Sequence, residues 1–188
     1  MPETLPVPLT CEVPPGWQSA PPEEVGAPHA AFVALHLASR GSGFIPNITI
    51  SGRPREAAVD LHELADESLQ RLRDTVGPVE LVKRTDVGPG FAQGLAGAAA
   101  VVQNVRVYAQ QNGHPVQLCQ SQVLLLVEDV HRPDRYAEFE IALTARADQL
   151  DEVLDDFQDF LHTVRPVDPA AESGNEAGGA PAPGEEEA

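Results

Sequence analysis

Two cysteines and six histidines carry most of the chemistry available to this 188-residue chain. Cys11 and Cys119 act as nucleophiles only as thiolates, and a thiolate forms near neutral pH only beside a base or a cation. His36 is the candidate base. If its strand lay next to that of either cysteine, the pair would be the seed of a cysteine enzyme. Nothing in the residue pattern requires that adjacency, and the expectation is two buried free thiols without a disulfide. The histidines, His29, His36, His62, His114, His131 and His162, are scattered. No His-x-x-x-His or Cys-x-x-Cys spacing brings two ligands onto one ion, so no metal site is expected.

The acids are denser. Asp148, Asp151, Glu152, Asp155, Asp156 and Asp159 fall on one closing segment of helical period, where carboxylates four apart can share a face. A calcium loop needs oxygens folded around the ion with a glycine turn, and that is missing here. A solvated acidic face follows, with Arg165 as the nearby compensating base. The glycine-rich run Gly90 to Gly97 has neither the Gly-Lys-Ser/Thr ending of a phosphate loop nor the spacing of a dinucleotide fingerprint. It reads as a long connection or a lid, with Phe91 over an apolar pocket. Catalytic, cofactor-binding and metal residues are therefore all expected to be absent.

These residues need elements to position them. Pro14-Pro15-Gly16 stops a short strand over 6–13, and Trp17 plugs one end of the core. Ala31–Ala38 alternates, with Val33, Leu35 and Leu37 against Phe32, Ala34 and His36, and pairs through Gly41-Ser42-Gly43 with a strand over Asn47–Ser51. Pro54 suits a first helical turn, and Ala58, Leu61, Leu64, Ala65, Leu69 and Leu72 then recur at helical spacing until Gly77-Pro78. Val79–Val87 is a further strand. A long hairpin turns at Asn112-Gly113, a pair suited to a type I′ turn. A strand with Ala137, Phe139, Ile141 and Leu143 on its core face follows. The last helix begins near Asp148 as its cap, carries Leu150, Val153, Leu154, Phe157, Phe160 and Leu161, and stops at Pro166. Helices on a mostly antiparallel sheet make an α+β class.

Charge and length bound the function. A net charge of −17 repels nucleic acid and anionic membrane surfaces alike. No stretch approaches the ~20 apolar residues of a membrane span, and residues 1–8 lack the basic and apolar regions of an export signal. A cytoplasmic protein is expected. Residues 6–167 read as one domain after an extension over 1–5. From Asp168 to Ala188 there are six acids and no Lys or Arg, which predicts a disordered acidic tail.

Val7-Pro8-Leu9 leading into Pro15-Gly16-Trp17, the passage Phe44 to Ile48, the glycine-rich bridge into a long hairpin, and the closing Phe157-x-x-Phe160-Leu161-x-Thr163-Val164 together resemble the LpqN-type proteins of actinobacteria. That group sits in a wider superfamily sharing a fold with PsbP and the Ran-binding nuclear import factor, the PsbP/Mog-like fold. The resemblance implies an α/β/α sandwich with a central antiparallel sheet. It also implies a non-enzymatic binding or accessory role, no cofactor, another protein as partner, and work near a secretion or cell-envelope system. Many such relatives are exported lipoproteins. Cys11 here has no basic or apolar region before it, so lipidation is not expected. The alternative function is a carrier of small apolar ligands with the glycine-rich lid.

Overall fold

The computed structural model describes residues 5–88, 98–128 and 134–167. Nine strands and two helices follow one another as β1 (Leu9–Thr10), β2 (Trp17–Ser19), β3 (Phe32–His36), β4 (Asn47–Arg55), α1 (Leu61–Thr75), β5 (Val79–Val87), β6 (Ala100–Gln111), β7 (His114–Glu128), β8 (Tyr136–Arg146), α2 (Leu150–Thr163) and β9 (Arg165–Pro166). Seven strands form one antiparallel sheet in the order β2-β3-β4-β8-β7-β6-β5. The long β6–β7 hairpin closes through Asn112 and Gly113, both at positive φ (51° and 78°), as a type I′ turn demands.

Side chains alternate across the sheet and bury on both faces. On one face, Ile48, Ile50, Val123, Leu125, Phe139, Ile141 and Leu143 meet Val153, Phe157, Phe160 and Leu161 of α2. On the other, Val101, Leu124, Val105, Val107 and Leu118 meet Leu64, Ala65 and Leu69 of α1. The result is an α/β/α sandwich, helix over sheet over helix, with β8 buried from both sides.

Several elements depart from the sequence reading. The strand expected over 6–13 shrinks to β1, since Pro6 and Pro8 lack the donors a longer ladder needs. It pairs with β9, so Pro166 does more than stop a helix: Leu9 faces Pro166 and the Val167 amide donates to the Pro8 carbonyl. The strand predicted over Ala31–Ala38 ends at His36, and Leu37–Ser39 forms a 3-10 turn.

Pro54 lies in β4, not in a helix. β4 runs through Gly52 to Arg55 along β8, and its last rung with β3 is Phe32↔Ile50. Among the described residues Pro54 thus sits where β4 has no strand partner on that side, which is where a sheet tolerates proline. Asp60 caps α1 instead, accepting the His62 amide at 2.8 Å, and Ala58 lies outside the helix.

At α2 the N-cap is Gln149 rather than Asp148. Gln149 accepts the Arg146 amide and donates to the Ser42 hydroxyl and the Phe44 carbonyl. Asp148 is taken by an ion pair with Arg146.

Candidate functional site

The two helices cover the sheet unequally, and the uncovered part defines a candidate site. Among the described residues α2 packs on β8, and no helix covers the β5–β6 end of its face. There Lys83, Thr85, Asn104 and Tyr108 are exposed. Between α2 and the hairpin lies a groove of about 410 Å³, with Val102, Asn104, Ser121 and Val123 as its floor and Leu154, Phe157, Gln158 and Leu161 along the helix wall. His162 stands at one end.

One side of this groove opens toward β5, the terminal strand of the sheet. The β5–β6 register slips between Leu81 and Lys83, and Val82 at that bulge is 55% exposed. Tyr108, 43% exposed, lies on β6 nearby, where its hydroxyl and Arg106 both reach Glu80. An edge strand presents unpaired backbone donors and acceptors, and a bulge with a lysine beside it is how such an edge resists indiscriminate pairing.

The residues singled out in the sequence do not converge here. His36 is buried, its Nδ1 2.8 Å from the Ser39 hydroxyl and its ring 5.1 Å from that of Trp17. Its polar contact is thus a serine rather than a thiol. Both cysteines are free as expected, but half-buried rather than buried. Burial raises the Cys11 pKa, which disfavours the reactive thiolate form. Cys119 sits on β7 opposite Arg106 and Ala145. His62 binds Asp86 at 2.8 Å between α1 and β5. Among the described residues no three His, Cys, Asp or Glu side chains are grouped to hold a metal.

The acidic helix face is less uniform than its sequence. Asp156 accepts the Trp17 indole N–H at 2.8 Å, tying β2 to α2. Asp148 is held by Arg146, whose hydrogen bond lowers the carboxyl pKa, so Arg165 is not the only base near these acids. Asp151, Glu152, Asp155 and Asp159 are exposed. The glycine-rich run 90–97, with Phe91 and its expected lid role, lies outside the described residues, as do His131 and the tail 168–188.

No family model matches the chain, and no curated protein matches it. Solved structures do. LpqN, involved in cell envelope biogenesis of Mycobacterium tuberculosis, superposes with a TM-score of 0.56 at 10% identity over 85% of this chain and 84% of that one. The cyanobacterial PsbP protein CyanoP from Synechocystis sp. PCC 6803 gives 0.52 at 13% identity over 88% and 95%. The fold is PsbP-like. At these identities the likeness is one of backbone path.

On this PsbP-like frame the groove was invisible to pattern reading. The sequence reading places Leu154 in a helix stripe and singles out neither Val102 nor Val123. The one available signal was Asn104, a polar residue on the face of β6 opposite Val105 and Val107. No helix of the described residues is long and apolar enough to cross a membrane.

Proposed function

We propose that this chain is a non-enzymatic accessory module of the LpqN type that binds another protein through the groove between α2 and the open end of the sheet. The observation that carries it is the coincidence of an apolar groove with an edge strand, β5, that has no outer partner among the described residues. An extended protein segment finds apolar pockets and backbone partners together there, which is the pattern of strand-addition recognition. Exposed acids along α2 favour a segment whose apolar residues are flanked by Lys or Arg. The resemblance to LpqN-type proteins directs the search toward a secretion or cell-envelope system, served from the cytoplasm.

The test is affinity capture with tagged wild type, Leu154→Asp and Val82→Asp, together with Val25→Asp as a control on the other face of the sheet. One stoichiometric, salt-sensitive partner should be retained by wild type and V25D and lost by L154D and V82D. A partner retained equally by all four proteins places binding elsewhere. The same conclusion follows if every variant loses it while folding normally.

A further inference from the structure

A second cavity, of about 380 Å³, lies on the opposite face of the sheet beside the C-terminal end of α1. Its argument is independent of the protein-binding groove. Every described residue lining it is uncharged, although the chain carries a net charge of −17. The charged groups of this face gather elsewhere, in the network of Arg55, Arg71, Glu67, Glu138 and Glu140. The walls are apolar, with Leu72, Phe44 and Leu118 among them.

The floor is polar and ordered. Asn47, Thr144 and Gln120 sit directly opposite one another on the adjacent strands β4, β8 and β7. The Gln120 amide donates to Thr144 Oγ1 at 2.8 Å, and its own carbonyl is held by the Gln122 amide at 2.7 Å. Thr144 Oγ1 accepts that bond, and among the described residues nothing accepts its own proton, which can be donated into the cavity. Asn47 donates to the Ile45 carbonyl, a long contact of 3.4 Å, which leaves its side-chain oxygen as an acceptor. One donor and one acceptor thus stand side by side beneath apolar walls, the composition of a small-molecule pocket.

The mouth gives a separate indication. Val25 and Val76, at 36% and 44% exposure, are among the few large apolar side chains left in water, and both line this cavity. Gly26, Ala27 and Val76 also line a neighbouring hollow floored by Thr49 and Ser51, so space continues beyond the lip.

We infer that this cavity binds an uncharged, mainly apolar small molecule bearing one hydroxyl or primary amide head. Such a head accepts from Thr144 and donates to Asn47 while its chain lies along Leu72, Phe44 and Leu118. A carboxylate or an ammonium would enter without a counter-ion and lose its hydration uncompensated.

The experiment is calorimetric titration of the full chain with 1-octanol, octanamide, octanoate and octylammonium, with thermal unfolding alongside, since a ligand of the folded state alone raises the midpoint. Octanol and octanamide should bind at one site per chain and raise the midpoint; the two ions should do neither. Thr144→Val should weaken octanol binding about tenfold. Val76→Trp, a change at an exposed position, should fill the mouth and abolish binding while the unliganded midpoint stays near wild type. Equal binding of neutral and charged probes overturns the inference, as does absence of saturable octanol or octanamide binding. Unchanged octanol affinity in folded T144V and V76W overturns it too.

Discussion

Glu138 shows most clearly how a single side chain is committed by its surroundings. It is 2% exposed and meets Arg55 at 2.8 Å and Arg71 at 3.7 Å. Replacing it by alanine leaves two arginines, partly shielded from water, without their buried partner. We expect Glu138→Ala to lower stability by about 2–3 kcal/mol in urea unfolding, a figure reduced from the fully buried case because Arg55 and Arg71 keep some solvent contact. Glu67→Ala, which removes the exposed acid from the same two arginines, should cost under about 1 kcal/mol. Equal costs would show that the buried pair has no special weight. Cys11 makes a second residue-scale case. Burial raises its pKa above 9.0, so the folded state favours the neutral thiol. Its contribution to stability is therefore complete below the unfolded value and lost as pH rises through the raised one. Iodoacetamide should modify Cys11 in the native protein at pH 8 more slowly than in the urea-unfolded chain, read by mass spectrometry; equal rates would mean an open, ordinary thiol. The Glu138 pairing escapes a sequence reading because burial of one residue depends on elements far away in the chain, whereas a shielded free thiol at Cys11 is expected from the sequence.

At the scale of elements, β4 illustrates how tertiary contact overrides a local signal. Gly52 and Pro54 are strand breakers by propensity, and the helix expected from Pro54 follows from that logic. In the fold, Gly52 is needed in the strand: a Cβ there would lie 2.9 Å from Pro6 Cδ, 3.0 Å from a Leu5 methyl and 3.1 Å from Phe139 Cδ1. The N-terminal segment thus packs directly on backbone at that point. Gly52→Ala should destabilise by about 1–3 kcal/mol through overpacking. The same change paired with Leu5→Ala should recover part of the loss in chemical denaturation; no recovery would place the strain at Pro6 or Phe139. The helix stripes, the Asn112-Gly113 turn and the alternation of β8 were legible because period and turn chemistry are local properties. The β1–β9 pair was not, because its ends are brought together only by the path of everything between them. Gln149 likewise displaces Asp148 as N-cap because the 42–44 loop offers it partners and Arg146 claims the aspartate.

For the whole molecule, charge is the dominant global property. A net charge of −17 makes the folded chain repel itself, and salt near 0.15 M shortens the screening length to about 8 Å from about 30 Å at 0.01 M. The thermal midpoint should rise between those two conditions. Removing residues 168–188 takes away six acids, reducing the net charge from −17 to −11, and should make the rise smaller. A midpoint that falls with salt would mean that attractive pairs such as Arg84–Asp66 outweigh the excess of acids. The α+β class, the antiparallel hairpins and the two amphipathic helices were determined by the sequence alone, through hydrophobic period, turn residues and charge. Only the tertiary structure decided that α2 packs on β8, that Asn47, Thr144 and Gln120 line up across three strands, and that Val82 lies on β5, the last strand of the sheet among the described residues. The physical reason is that periodicity says which side of an element is buried, whereas cavities and edges arise from how far each layer extends over the next.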